Sequence, residues 1–407
     1  MTILKRIVFA VFLLATVHLV VNYSQDPLFW QRWWSLVVEG DSQQLGYQPV
    51  ESLLGSQPSA IPVAGQTTTI TESALDDAQA YARQFDSLGL LIVHRGKIQR
   101  EWYRQGWSGT RLTHSQEMHQ TVLALLLGVA ISEGDIGSVD DPMVRYFPEW
   151  AADSRGRITI RDLLTMSSGL ESYNKSLNPF SMKSYLRLLF AGDRHRLVMA
   201  TVQREQPQVA FANNQINAQL LGLLLERATG QRYRDYLYEK LWLPMGGHSA
   251  KVYLDHEQGL ALTTSHLLAT PMDWLRIALL IKNQGWLNGQ QIVPREWVAQ
   301  MAAPSSLNSS YGYLLWRGPD LSVYLDQAST STNFSAEGFK QSAPFAAADL
   351  LMLAGQGGQR VYISANHDLV VIRMTPFTWD EGLKPSWDNA YLVNTVIRGI
   401  KHDDSAN

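Results

Sequence analysis

Glu117 and Gln120 stand three residues apart at the start of an apolar run, residues 122–130, which predicts a buried helix. Residues at this spacing share a helix face, so the two side chains should lie close together. An amide cannot serve as a base, and a glutamate near a helix N-terminus is favoured as an anion by the helix dipole. The pair therefore predicts a polar, uncharged-to-acidic pocket and argues against covalent chemistry.

Ser115 and His119 are a pair that could act as nucleophile and base, because they lie four residues apart on the same predicted helix. A serine just before a helix most often serves as its N-cap, and His119 adjoins a wall of apolar residues. A structural role is therefore favoured for both. Glu117 as a nucleophile or general base would need a second acid, which the sequence does not place.

Composition excludes several other classes of site. The chain has 407 residues, a net charge of -3 and no cysteine, so neither a nucleic-acid partner nor thiolate chemistry is expected. The ten histidines show no paired-ligand spacing, and His248, His256 and His266 are expected in surface or loop positions. No GxSxG elbow or phosphate-binding loop is present. We expect neither a metal nor a cofactor.

The pattern of apolar residues predicts an α+β domain, with an antiparallel sheet flanked by helices and an inserted, mostly helical region. Strands are predicted at residues 88–93, 98–103, 311–316, 359–364 and 369–374, and residues 94–97 between the first two are a hairpin signal. Helices are predicted at residues 116–133, 161–166, 182–191, 216–229, 233–241, 271–283, 294–301 and 387–400. The domain should cover residues 72–400, with its helical part at about 146–301, its α/β part at about 72–145 and 302–400, and a tail at 401–407.

The N-terminus predicts export from the cytoplasm. Lys5 and Arg6 precede an apolar run at residues 7–21, so residues 1–24 suit a membrane anchor or a signal segment. No A-x-A-like cleavage site follows, which favours an uncleaved anchor in the inner membrane, with the N-terminus in the cytoplasm and the main domain periplasmic. Residues 25–71 are predicted to be a juxtamembrane segment and linker. In it Phe29, Trp30, Trp33 and Trp34, with Tyr23 just before them, would form an aromatic belt at the membrane surface.

Several ordered segments between residues 72 and 400 resemble the serine β-lactamase, penicillin-binding-protein and esterase superfamily. They are closest to class C β-lactamase-like esterases and 6-aminohexanoate-dimer hydrolases. The segments are LLLGVAI at 125–131, ITIRDLLTMSSGL at 158–170, QLLGLLLERATGQRYRDYLYEKLWLPMG at 219–246, GWLNGQQIVPREWV at 285–298 and GQRVYISANHDLVVIRM at 358–374. The resemblance implies that family's fold.

The same resemblance assigns three motif positions. The family's SxxK serine and lysine correspond to Glu117 and Gln120. The tyrosine and the third residue of its YxN motif correspond to Asn213 and Gln215, and a register shifted by one would offer Ala212 or Asn214 for the tyrosine. The KTG or HxG motif corresponds to residues 356–358.

At all three motif positions the family's reactive groups are missing. Gln356 replaces the cation or imidazole, while Gly357 keeps the small residue that close backbone approach needs. The serine, lysine and tyrosine of such a site act as a unit, so their joint loss predicts a protein that does not hydrolyse.

We therefore expect an extracytoplasmic binding protein, or a regulator of a membrane partner, that uses the former cleft. Glu117, Gln120, Asn213, Gln215, Gln356 and Gly357 are the predicted ligand-binding residues. Two alternatives stay open: an active esterase, amidase or β-lactamase-type hydrolase with noncanonical residues, and a subunit whose N-terminal helix binds another membrane protein.

Overall fold

A computed structural model describes residues 2–39, 48–56, 60–65, 68–173, 176, 178–181, 183–318, 341–376 and 387–401. The helices are α1 Thr2–Gln25, α2 Pro27–Glu39, α3 Glu72–Gln84, α4 His119–Glu133, α5 Ile160–Leu164, α6 Tyr185–Phe190, α7 Arg194–Met199, α8 Gln215–Thr229, α9 Tyr233–Leu237, α10 Pro271–Lys282, α11 Arg295–Met301 and α12 Asn389–Arg398. The strands are β1 Val50–Leu53, β2 Gly89–His94, β3 Lys97–Tyr103, β4 Thr113–His114, β5 Ala250–Tyr253, β6 Leu267–Ala269, β7 Trp286–Leu287, β8 Gln290–Gln291, β9 Trp316–Arg317, β10 Leu351–Gly355, β11 Gln359–Ser364 and β12 Leu369–Met374.

A six-stranded antiparallel sheet in the order β3-β2-β12-β11-β10-β9 confirms the predicted fold class. Strands β2, β11 and β12 are buried along their whole length, as their continuous apolar sequences indicate. The predicted hairpin of β2 and β3 is present, and its register runs from Gly89–Tyr103 to His94–Lys97. The predicted strand at 311–316 is wrong in extent, because there β9 holds two residues and Tyr311 makes one isolated bridge to Trp316.

Helix α4 is the central helix and positions the candidate site. Twelve of its fifteen residues are buried, so it has no solvent-facing stripe. Gly128 lets α11 approach closely, because a Cβ at that position would lie 2.1 Å from the Trp297 ring. The Trp297 indole donates to the Ala124 carbonyl at 2.8 Å, which fixes the two helices together. Gly134 takes a left-handed conformation and ends α4 at the predicted boundary, residue 133.

The region predicted as mostly helical also contributes strands. β5 and β6 form a four-stranded sheet with β1 and β4, in the order β1-β5-β6-β4. The strands of this sheet are only two to four residues long, which is too short for an alternating pattern to stand out in the sequence. β1 also shows that the predicted linker at 25–71 contains an integral strand of the domain.

Helix α2 also differs from the juxtamembrane segment and linker predicted at residues 25–71, because it packs against the domain. Phe29 is fully buried in a cluster with Leu186, Leu189, Phe190, Tyr253 and Leu262. Arg32 is 5% exposed, and its guanidinium donates to the carbonyls of Phe190, Ala191, Gln48, Leu254 and Asp255. The sequence interpretation assigned the aromatic residues to the membrane surface; the structure uses part of them to attach the helix to α6.

Candidate functional site

The turn that enters α4 has an unusual backbone. Residues 116–118 form a single 3-10 turn, so the regular helix begins three residues later than predicted. Gln116 has φ 51°, a left-handed value that non-glycine residues rarely adopt. Its buried side-chain amide has no hydrogen-bond partner among the described residues. Backbone strain and an unsatisfied amide in one buried residue are features that cluster at functional sites.

Glu117 follows directly and is held by two elements that are distant in sequence. One carboxylate oxygen accepts from the Gln356 backbone N–H at 2.8 Å, and the other accepts from the Tyr185 phenol at 3.2 Å. Burial, together with the Glu117 carboxylate, raises the Tyr185 pKa well above its usual value, so the phenol stays protonated as the donor. Glu117 itself remains partly exposed. The carboxylate is thus a fixed acceptor that reaches the surface of the site.

Gln120 lies one turn further along and is nearly buried. Its amide donates to the Gln215 side-chain carbonyl and, at 2.9 Å, to the Thr264 carbonyl. The structure therefore brings together the predicted first-motif and second-motif residues, Gln120 from α4 and Gln215 from the first turn of α8. Two acceptors converge on the end of the side chain at position 120.

Asn213 is not brought into this group. Its side chain is exposed just before α8, and the described contacts include none from it to Glu117 or Gln120. The neighbouring Asn214, which a shifted register would offer, is buried as the N-cap of α8. Its amide donates to the Leu170 carbonyl at 2.9 Å, which is a structural role.

The turn at residues 355–358 closes the site beside Glu117. Gly357 and Gly358 have φ of 75° and 79°, which reverse the chain between β10 and β11. The close backbone approach was expected at Gly357, but it occurs at Gly355. A Cβ there would lie 2.8 Å from the Gln116 Cβ and from the Ser115 carbonyl oxygen. Because residue 355 is a glycine, the end of β10 can contact the turn that leads into α4.

Ser115 and His119 do not form a nucleophile and base pair. The Ser115 hydroxyl is fully buried, donates to the Gln116 carbonyl and accepts from the Leu267 backbone N–H at 2.9 Å. His119 uses its ring nitrogens on the Ser265 carbonyl and the Tyr233 hydroxyl, at 3.0 and 2.8 Å. The predicted N-cap bond of Ser115 is also absent, because its hydroxyl is committed to β6.

Burial gives His119 a pH-dependent effect on stability. It lowers the His119 pKa from 6.5 to about 4, so the folded protein keeps the ring neutral. Between pH 6.5 and 4 the unfolded chain binds a proton that the folded chain refuses, and stability falls as the pH falls. The contribution should decline by about 2 kcal/mol between pH 7 and pH 5. Denaturant unfolding at the two pH values measures it.

The matched variants for this prediction are His119→Gln and His195→Gln. The first should be less stable at pH 7 but lose less stability on acidification, whereas the second changes an exposed ring and should keep the wild-type pH dependence. An unchanged slope in His119→Gln would contradict the prediction. Part of the slope should remain, because burial lowers the His266 pKa in the same direction.

The sequence interpretation missed Tyr185 and the segment that precedes β6. Tyr185 comes from the first turn of α6, and its phenol donates to Glu117. No local motif marks Tyr185 or that segment, since both reach the site through tertiary packing. His266, expected at the surface or in a loop, lies in the loop before β6, but its side chain is buried against Tyr253 and His114. Among the described residues, no cluster of His, Asp or Glu side chains could hold a metal ion.

Comparisons with known proteins identify the family and the fold of this chain. The Beta-lactamase family model matches residues 72–376, which is more than half of the chain. A 6-aminohexanoate-dimer hydrolase of Paenarthrobacter ureafaciens is 21% identical over 226 residues, which span 53% of this chain and 57% of that relative.

Solved structures show the same fold. The putative 6-aminohexanoate-dimer hydrolase from Bacillus anthracis superposes with a TM-score of 0.64 at 16% identity, covering 90% of this chain and 92% of that one. The class C β-lactamase from Rhodobacter sphaeroides gives 0.54 at 15% identity, covering 76% and 96%. Such low identities show the fold alone. The match of the family model establishes that this chain belongs to the β-lactamase family of serine hydrolase-like proteins.

Proposed function

We propose that this protein no longer performs the serine chemistry of its family and uses the former cleft to bind a ligand. The observation that carries the proposal is Glu117. At the position the family gives to its serine, this chain holds a carboxylate bonded to the Gln356 N–H and the Tyr185 phenol. A carboxylate oxygen accepts hydrogen bonds, so this position suits a ligand that donates them.

The hydrogen bonds made by Gln120 support the proposal. At the family's lysine position this amide donates to Gln215 and Thr264 and cannot take a proton from a nucleophile. The described serines nearest the turn offer no replacement, since Ser115 and Ser265 are fully buried. The remaining surface combines one carboxylate with neutral amides. A ligand that carries several N–H or O–H donors, such as a sugar, a peptide or a cationic group, suits it best.

The proposed location is the outer face of the inner membrane. In α1, residues 5–25 are long and apolar enough to cross a membrane, and none of this span is buried against the domain. A signal sequence would have the same features. The direct passage from α1 into the docked helix α2 supports a retained anchor, with the domain on the periplasmic side.

Intact-mass spectrometry after incubation with a fluorophosphonate, and separately with a penicillin, tests the proposed loss of chemistry. The full chain in detergent is the appropriate sample, because removing residues up to 40 would take away α2. We expect no adduct from folded protein, while a catalytically active family member treated in parallel is fully labelled. A stoichiometric adduct on any serine would overturn the proposal and favour an active hydrolase with a relocated nucleophile.

A further inference from the structure

We propose that α2 and Phe180 form a lipid-contacting surface that lays the domain flat on the membrane. The surface consists of Phe180, Trp34, Val37 and Val38. This inference rests on the proposed anchoring by α1 and goes beyond it, because a single-pass anchor alone would let the domain stand away from the bilayer. Lipid is the occupant to which the following contacts point.

A row of aromatic rings connects α1 to the outer part of α2. The ring of His18 lies 5.9 Å from that of Phe180, which lies 5.1 Å from Trp30. The row continues to Trp33 at 5.6 Å and on to Trp34 at 6.3 Å. Tryptophan favours the boundary between headgroups and acyl chains, where its apolar ring and N–H are both accommodated. The row therefore connects the proposed membrane span to the outer part of α2.

The outer face of α2 exposes apolar side chains that the domain leaves uncovered. Trp34 is 62% exposed, Val37 54% and Val38 63%, while Phe180 beside them is 44% exposed. The opposite face of α2, with Phe29 and Arg32, is fixed to the domain. A helix with one face on protein and an apolar outer face beside a membrane span has the features of an in-plane interfacial helix.

The junction between α1 and α2 restricts how far α2 and the domain can move from the end of α1. Asp26 is the only residue between the two helices, and its carboxylate accepts from the backbone N–H groups of Phe29 and Gly192. The end of α1 is thus tied directly to the domain, at the turn between α6 and α7. With α1 in the bilayer, the outer face of α2 cannot move far from the headgroups. Lipid is favoured over a protein partner because this surface is continuous with the proposed span.

Single-cysteine fluorescence tests the inference on the full chain, since the wild-type sequence contains no cysteine. Val38→Cys, Phe180→Cys and, at the start of β3, the exposed control Lys97→Cys are labelled with the environment-sensitive fluorophore NBD. Each protein is reconstituted in vesicles of phosphatidylethanolamine and phosphatidylglycerol, with and without lipids brominated on their acyl chains. We expect brominated lipid to remove most of the emission at positions 38 and 180 and little at 97. Trp34→Cys serves as a replacement if either variant fails to fold.

Two results would overturn the inference, and they differ from a failure of the proposed anchor. Quenching at 38 and 180 no greater than at 97, in chain that resists extraction with alkaline carbonate, would mean that α1 is anchored and the surface does not touch lipid. Cross-linking of position 38 to another protein, without quenching, would assign the surface to a protein partner. Extraction of the chain by carbonate would instead refute the anchor itself.

Discussion

A Glu117→Ser/Gln120→Lys variant should form a covalent adduct with a fluorophosphonate, although the wild-type chain should not. The two acceptors that converge on position 120, the Gln215 side-chain carbonyl and the Thr264 carbonyl, can each accept from an N–H of a lysine amine. Burial at this position would also favour the neutral amine that a base requires. Intact-mass spectrometry with peptide mapping should place the adduct on residue 117.

Glu117→Ser alone is the matched control for this gain of reactivity. It has the hydroxyl without the base, so it should react about a hundredfold or more slowly than the double variant. Equal rates in the two variants would show that position 120 does not serve position 117. Absence of any adduct in folded double variant would contradict the assignment of these residues to the family's catalytic positions.

Arg32→Ala should destabilise the docking of α2 by about 3 kcal/mol. The guanidinium donates to five backbone carbonyls, two of which belong to the C-terminal end of α6 and its following residue. The last carbonyls of a helix lack partners within the helix, so removing the cation leaves buried acceptors unsatisfied. Hydrogen exchange should show faster exchange in residues 185–191, and denaturant unfolding should show the loss of stability.

Two further arginine variants serve as controls for the Arg32→Ala result. Arg32→Lys keeps the charge but lacks the planar fork that reaches several carbonyls at once, so its loss should be intermediate. Arg295→Ala removes an exposed arginine and should change stability by no more than about 0.5 kcal/mol. Unchanged exchange in residues 185–191 of Arg32→Ala would show that α6 does not depend on α2.

The parts of the fold that could be predicted from sequence are those with strong local patterns. The β2–β3 hairpin, α4 and the pair β11 and β12 were predicted because each is a long apolar segment bounded by turn residues. The four-stranded sheet was missed because its strands are too short to show a pattern. α2 was recognised as aromatic and misinterpreted, because its burial depends on contacts with α6, some 150 residues away in sequence.

The site shows the same division between local and distant information. Glu117, Gln120, Gln215 and Gln356 could be identified because they sit at fixed spacings from apolar anchor segments of a recognisable family. Tyr185 and the left-handed backbone of Gln116 could not, because neither has a local signature. Asn213 was also identified from motif spacing, but it makes no described contact with Glu117 or Gln120. A motif position fixes a residue's place along the chain but not the direction in which its side chain points.

The single residue between α1 and α2 also determines how this domain would meet its ligands. A domain on a long flexible tether samples a wide volume and dilutes its own local concentration, whereas one without a tether stays at a fixed height. For a soluble ligand, such an arrangement does not raise the effective concentration. A ligand that is itself confined to the membrane surface gains a high effective concentration, because both partners then search in two dimensions. With α1 in a membrane, as proposed, the missing tether would favour recognition of surface-bound molecules over freely diffusing ones.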